Sequence, residues 1–452
     1  MSKPDPESKV DGATRRDFLK TSGLVAGAAM VGNLSVARGA HAAGSDILKI
    51  GLIGCGGRGT GAASNAMTAD KNTRLVAMGD LFEERVLNRR QYLQKIKPKQ
   101  VAVDDDHCFS GYDAYKKVLE SDVDVVILTS VPHFRPRHLA AAVDAGKHIF
   151  CEKPVAVDAP GVRSVLETGK KADEKGLNIV SGLCWRYYPP VVEAMRRVVD
   201  GDIGKLRNIQ VTYLFGLVGR ITDRKPGMSE MEYQARNWWN FNWLSGDHIT
   251  EQCVHSLDKA LWAMGDKPPV AAYGSGGRQV QMFGDKPKTG DIYDHHSVVY
   301  EYPDGVMANG YCRQQANCYK ETIDLFAGSK GLCKINQAQS QEVFDLDGKR
   351  TWRFPSREKR GLNMYVLEHE ALFKAIRDGK PINNTQYTAY STMLAILGRM
   401  CTYTGQRITW EDALNSKETL APSEYSFDGV PPTLPDADGN YKIAVPGYTK
   451  FV

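Results

Sequence analysis

Over residues 47–183, short apolar runs alternate with stretches of helical spacing. The runs at 47–53, 74–79, 123–129 and 148–151 predict strands, and 179–183 closes the set. Residues 122–128 (DVDVVIL) are β-branched and apolar, as a parallel strand covered on both faces must be. Helices are predicted at 59–67, 83–96, 114–119, 137–144 and 159–175, with Gly146 placed to end the fourth. Such alternation with short connections predicts an α/β unit, a doubly wound parallel sheet.

After Trp185 the pattern changes. A helix at 190–199 should bury Val191, Val192, Met195, Val198 and Val199. Strands then dominate, with hairpins predicted around residues 303–305 and 347–348 and another strand pair flanking 328–330. Helices return at 364–378 and 389–404. This half reads as α+β, built on a large, mostly antiparallel open sheet. The predicted divisions are a leader at 1–44, a first domain at 45–185, a second at 186–415 and a tail at 416–452 that wraps the surface.

The leader contains Thr14-Arg15-Arg16-Asp17-Phe18-Leu19-Lys20, then a moderately apolar Gly/Ala stretch at 23–31, then Ala40-His41-Ala42. This is the pattern of a twin-arginine signal peptide with its cleavage site. It predicts a partner, the twin-arginine export machinery, and a periplasmic protein exported already folded. Any small cofactor such a protein needs is then expected to be loaded before export and tightly retained. Net charge is +5; the leader carries six Lys/Arg against four acids, leaving about +3. That is too mild for a nucleic-acid partner. The nine Cys are scattered without C-x-x-C, which excludes a disulfide framework or zinc knuckle; Cys312 and Cys318, the nearest pair, could bridge.

The first predicted strand breaks into GCGGRG, with Gly54, Gly56 and Gly59 spaced G-x-G-x-x-G around Gly57 and Arg58. Strand, glycine turn and helix make a pyrophosphate cradle. Asp80 follows the second strand, 21 residues past Gly59, where a carboxylate accepts hydrogen bonds from an adenosine ribose. It argues for NAD over NADP by repelling a 2′-phosphate. Arg85 softens that preference, so NADP stays open.

Residues 145–154 (AGKHIFCEKP) place Glu152, Lys153 and Pro154 at the C-terminal edge of the parallel sheet, where such sheets bind ligands. An ammonium beside an oxidised, positively charged nicotinamide gives up its proton more readily. Together with the glycine turn, Asp80 and a segment at 245–265, this stretch resembles the Gfo/Idh/MocA oxidoreductases over about residues 47–415. The resemblance implies an N-terminal Rossmann domain, a C-terminal domain whose sheet often forms a dimer or tetramer interface, and an active site between them. Ser130, His133, Glu152 and Lys153 are then the nicotinamide-side cofactor residues. The family helix signature G-G-G-x-L-x-D-x-G-x-H-x-x-D reads SGDHITEQCVHSLD here. His255 and Asp258 match; Glu251 replaces an aspartate and Cys253 a glycine. The implied roles are Lys153 as proton-transfer residue, His255 as acid/base or orienting partner, and Glu251 as the group that orients substrate and tunes the pair. Arg135 stands where the family often has a second histidine; it could hold a carboxylate or a sugar hydroxyl pair, or equally be a solvated surface arginine.

His248, Glu251 and His255 at i, i+3 and i+7 would also suit a metal, but one substrate-facing helix is the favoured reading and no metal is expected. Two aromatic clusters, Trp185-Arg186-Tyr187-Tyr188 and 236–243 with Trp238 and Trp239, suit a sugar or fill the core. Asp294-His295-His296 sits in a predicted loop that could reach the site. The expected function is hydride transfer between nicotinamide and a secondary alcohol or ketone of a carbohydrate substrate. An NAD-dependent glycosidase or lyase is the alternative, against which the intact Glu152-Lys153-Pro154 and the lack of a Y-P-T-H-G-like segment both count. A non-catalytic sugar-binding protein is the third reading.

Overall fold

The computed structural model describes residues 47–219 and 221–451; the twin-arginine segment lies outside the described residues. The first sheet is six-stranded, parallel, in the order β3-β2-β1-β4-β5-β6. Its strands are β1 (Leu48–Ile53), β2 (Thr73–Asp80), β3 (Cys108–Ser110), β4 (Val125–Leu128), β5 (His148–Cys151) and β6 (Ile179–Ser181). They are joined through α1 (Gly57–Ala69), α2 (Glu83–Ile96), α3 (Ala114–Glu120), α4 (Arg135–Asp144) and α5 (Ala159–Glu174). All four residues of β4 are buried, as strands covered by helices on both faces require. The order reverses between β1 and β4, so a crevice opens at their C-terminal ends.

The remaining helices are α6 (Pro189–Asp200), α7 (Glu230–Arg236), α8 (Asn242–Ser245), α9 (Val254–Ala263), α10 (Met364–Asp378), α11 (Thr385–Thr404) and α12 (Trp410–Asn415). Strand β7 (Leu206–Phe215) lies at the centre of a nine-stranded sheet with β8 (Ala271–Gly277), β11 (His295–Glu301), β12 (Met307–Gln314), β13 (Asp324–Gly328), β14 (Gly331–Asn336), β15 (Ser340–Asp345), β16 (Arg350–Arg353) and β17 (Ile408–Thr409). A separate short pair is β9 (Met282–Phe283) with β10 (Lys286–Pro287). Every pairing in the large sheet is antiparallel except β7 with β12. One face packs on α9 and α11; the other is open, so β11 and β14 alternate buried with half-buried residues.

Three expectations shift. Helix α6 buries Val191, Ala194, Met195 and Val198, while Val192 is half-buried and Val199 is 54% exposed. The stripe runs at i, i+3, i+4 and i+7, and the two misplaced valines lie one residue off it. The parallel sheet does not end cleanly at β6. Residues 382–384 return from the second half to bond it, through Ile179 N–H to the Ile382 carbonyl at 2.7 Å and Asn384 N–H to the Ile179 carbonyl at 2.9 Å. Cys312 and Cys318 are both free, as are the other seven Cys.

Candidate active site

The glycine turn between β1 and α1 has the shape its spacing implies. Gly54 has φ +97°, and a Cβ there would lie 2.4 Å from the backbone of Thr129 and Ser130. A Cβ on Gly59 would come within 1.9 Å of the Gly54 carbonyl oxygen. At Gly56 and Gly57 the added atom would meet nothing, so the backbone there faces open space. Helix α1 begins without a side-chain cap and without an acid in its first turn. Its leading N–H groups and the positive end of its dipole are available to a diphosphate. At the end of β2, Asp80 accepts from Cys55 N–H at 2.6 Å and Phe82 N–H at 3.1 Å, with Arg85 Nη1 at 3.9 Å. Burial pushes this carboxyl above its ordinary range, against the pull of Arg85.

Across the same cleft lies the loop after β5. Glu152, 2% exposed, receives Arg58 Nε, and Arg58 Nη2 reaches Glu368 Oε1 of α10 at 2.8 Å. The Arg58 guanidinium also covers the Tyr365 ring at 4.5 Å. Arg58 thus ties the glycine turn to the lysine loop and to α10. Lys153, which precedes a cis Pro154, donates from Nζ to the Glu251 carbonyl and, at 3.1 Å, to Glu251 Oε1. Glu251 belongs to a π turn, Ile249–Cys253, that leads directly into α9. Burial raises its carboxyl, with Lys153 opposing. His255 lines the cleft one turn on, its Nδ1 buried without a partner. Burial first, then Lys153, Lys259 and Arg58, hold it well below the ordinary histidine range, so the imidazole is neutral at neutral pH. The cleft therefore presents a lysine–carboxylate pair beside a neutral imidazole, at the open end of a dinucleotide cradle.

Two family models match this arrangement: the oxidoreductase family with NAD-binding Rossmann fold over residues 48–179, and the Gfo/Idh/MocA C-terminal domain over residues 191–333. Together they span more than half of the chain. The chain belongs to the Gfo/Idh/MocA family. Myo-inositol 2-dehydrogenase of Thermotoga maritima is 26% identical over 339 residues, covering 74% of this chain and 90% of that protein. Inositol 2-dehydrogenase of Rhizobium meliloti is 23% identical with the same coverage. Among solved structures, aldose-aldose oxidoreductase from Caulobacter crescentus, complexed with glycerol, superposes with TM-score 0.62 at 20% identity, covering 80% of this chain and 99% of that one. A levoglucosan dehydrogenase complex with NADH and L-sorbose gives 0.64 at 16% identity, with the same coverage. These two likenesses show the shared fold.

The cofactor of this family's Rossmann domain is NAD, and the cradle fits it. Gly56, Gly57 and the start of α1 would hold the diphosphate and Asp80 the ribose. Ser130, Arg135, Glu152 and Lys153 line the cleft from the first half of the chain. Trp238, Trp239, Glu251 and His255 line it from the second. Sequence reading missed Tyr213, Gln252, Tyr365, Phe82, Tyr112 and Tyr115, which also line the cleft. Gln252 stood inside the family helix signature and could have been found there; the others, Tyr213 on β7, Tyr115 on α3, Tyr365 on α10 and Phe82 and Tyr112 in loops, carry no local signal.

Other expected Gfo/Idh/MocA site residues stand elsewhere, each with structural partners of its own. Asp258, 1% exposed, is taken up by Arg186 at 2.8 Å and Ser391 Oγ at 2.8 Å. Arg186 also pairs with Asp266 at 2.6 Å and packs over Trp262 and Tyr387. Tyr187 donates to Asn384, and Trp185 packs against the core under Lys259. His133 points away from the cleft, its Nε2 bonded to Tyr425 Oη at 2.8 Å. His248 lies behind the π turn with Asp247 and His296, all buried. Asp247, at φ +70°, accepts from His248 N–H at 2.5 Å, His248 Nδ1 at 2.8 Å, Tyr293 N–H at 2.9 Å and Tyr403 Oη at 2.6 Å. With its carboxylate so engaged, this is a hydrogen-bond hub. Asp294 and His295 pair with each other, and His296 belongs to that hub rather than to the cleft.

The tail does more than wrap the surface. Tyr425 and Phe427 pack against Phe82 and Tyr112, which line the cleft near Asp80. Phe427 stacks on Phe82 at 5.9 Å and meets Tyr112 at 5.4 Å. Arg236 of α7 covers the Phe82 ring at 3.9 Å and pairs with Glu84 at 2.7 Å. The second half of the chain therefore grips the first at the edge of the cofactor cradle.

Proposed function

We propose that the protein is an exported, NAD-dependent oxidoreductase acting on a secondary alcohol of a sugar or polyol, with its cofactor retained between turnovers. The observation that carries this is the Lys153–Glu251 pair beside neutral His255, in one cleft with the glycine cradle. Bound NAD supplies the two-electron acceptor. Lys153 takes the hydroxyl proton as the carbinol becomes a ketone, and returns it in the reverse direction. Glu251 holds the lysine in place, and His255 accepts a hydrogen bond from the reacting or neighbouring hydroxyl. Trp238 and Trp239, at 5.2 Å and edge to face, offer ring surface to a sugar.

Retention is supported by the grip of Phe427, Tyr425 and Arg236 on the cradle's edge. A retained cofactor is reset by a second carbonyl substrate. Export rests on the twin-arginine motif alone, and is tested by locating the protein after fractionation. Assembly through the open sheet face is supported by Tyr273, Met307 and Tyr311, which are 42%, 37% and 38% exposed on β8 and β12, the two strands that flank β11. The deciding experiment denatures the purified protein and assays released nucleotide before and after incubation with a sugar panel. Near-stoichiometric NAD(H) whose redox state follows particular sugars is the expected result. Absence of nucleotide, with added NAD failing to bind, would sink the reading. Release of sugar from a glycoside with unchanged nucleotide would move it to the glycosidase alternative.

A further inference from the structure

Four cationic side chains, Arg58, Arg85, Arg135 and Lys153, line the cleft. Three have carboxylate partners: Glu152 and Glu368 for Arg58, Asp80 for Arg85, and Glu251 for Lys153. Arg135 has none within 4.0 Å among the described residues. It is 5% exposed, donates from Nη1 to the Pro154 carbonyl, and keeps a buried Nε with no partner. The carboxylates that feel it, Glu152 and Glu251, are already engaged by Arg58 and Lys153.

An unpaired guanidinium taken out of water is costly, and proteins ordinarily compensate it. Burial pushes Arg135 downward, showing how incompletely its surroundings do so. Arg58 and Lys153 beside it each hold a carboxylate in hydrogen-bond contact; Arg135 does not. The missing anion is one that a ligand can bring.

We propose that Arg135 receives a carboxylate of the substrate, so that the carbohydrate handled here is a sugar acid. This rests on the sugar-oxidoreductase reading above and narrows its substrate class. The planar fork of arginine suits a carboxylate, and its bond to Pro154, one residue past Lys153, fixes it relative to the proton-transfer group. A neutral sugar would leave the charge uncompensated.

The test is calorimetric titration of the full chain with its bound nucleotide. The probes are D-glucuronate and D-galacturonate against D-glucose and D-galactose, for wild type, Arg135→Met and Arg135→Lys. The acids should bind about tenfold to a hundredfold more tightly than their neutral counterparts, the range of a charge-assisted hydrogen bond. That ratio should collapse toward one in Arg135→Met, recover in part in Arg135→Lys, and leave nucleotide content unchanged. Equal binding of acids and neutral sugars, binding of neither, a ratio that survives Arg135→Met, or loss of nucleotide in that variant would each overturn the proposal. Acids that bind in an Arg135-dependent way without changing the nucleotide's redox state would instead overturn the oxidoreductase reading.

Discussion

Replacing Lys153 with Met perturbs both the chemistry and the stability of the cleft, and the two effects have different signatures. The Nζ–Oε1 separation of 3.1 Å corresponds to roughly 5 kcal/mol of attraction at an effective dielectric constant of about 20. Desolvation consumes much of it, and the two side chains remain 12% and 13% exposed. Removing one partner of such a pair should cost about 2–4 kcal/mol. Glu251, already raised by burial against the pull of Lys153, loses its counter-charge and rises further. A carboxyl with a folded pKa above its unfolded value binds protons better in the folded state, so stability falls as pH rises through that interval. Urea unfolding should therefore find the variant near wild type at pH 5, with a deficit that opens toward pH 8, by about 1.4 kcal/mol for each unit of added shift. Turnover should fall by about 10²–10⁴, the usual contribution of positioned proton transfer, with bound nucleotide unchanged. A deficit independent of pH, or turnover within tenfold of wild type, would refute the reasoning.

Gly54→Ala places a Cβ 2.4 Å from the backbone of Thr129 and Ser130 at φ +97°; it should cost at least about 1–2 kcal/mol and yield protein largely free of nucleotide, read by absorbance after denaturation. Acid should destabilise the protein early, because burial depresses His255, His296 and His369 and lowers His133 to about 4 and His138 to about 3. Each binds protons better unfolded, so stability is lost as pH falls below the unfolded value of about 6.5, at roughly 1.4 kcal/mol per pH unit per group until the folded value is passed; flat urea midpoints from pH 7 to 5 would contradict this. Phe427→Ala combined with Tyr425→Phe should speed nucleotide loss on dialysis about tenfold, since ring pairs contribute roughly 0.5–1.5 kcal/mol each; an unchanged rate would remove the tail from the retention argument.

Much of the first half was legible because its signals are local. Helix α2 and strand β5 fall at their predicted bounds; Gly54 and Gly59 are required by backbone approaches that their spacing already implied, while at Gly56 the backbone faces open space. Strand β8 was not legible, because AAYGSGG carries no apolar alternation; its glycines are there for closeness, as a Cβ on Gly274 would sit 2.3 Å from the Ser297 carbonyl. The aromatic cluster beginning at Trp185 looked like a sugar platform because composition cannot tell which side of a turn a ring takes. Its arginine is consumed by Asp258 and Asp266, the latter eighty positions away in sequence. Arg58 posed a related problem: its place in the glycine turn suggested cofactor contact, but the turn alone could not reveal its long-range partners Glu152 and Glu368.

The π turn at Ile249–Cys253 bears on how this helix tolerates change in length. A π turn carries one residue more than the α turn it replaces, and this one stands at the head of α9, just after Gly246 and Asp247 with their positive φ. It is the equivalent of a single-residue insertion stored in the first turn of a helix. Deleting one residue there, such as Gln252, would relax the segment to ordinary α geometry and turn Glu251 by about 100° relative to His255. Glu251 would leave Lys153, although neither had been altered. Matching chains of this kind by residue identity alone can pair the histidines correctly while misassigning the carboxylates before them. Relatives with one residue fewer in this turn are different sites, however similar the letters.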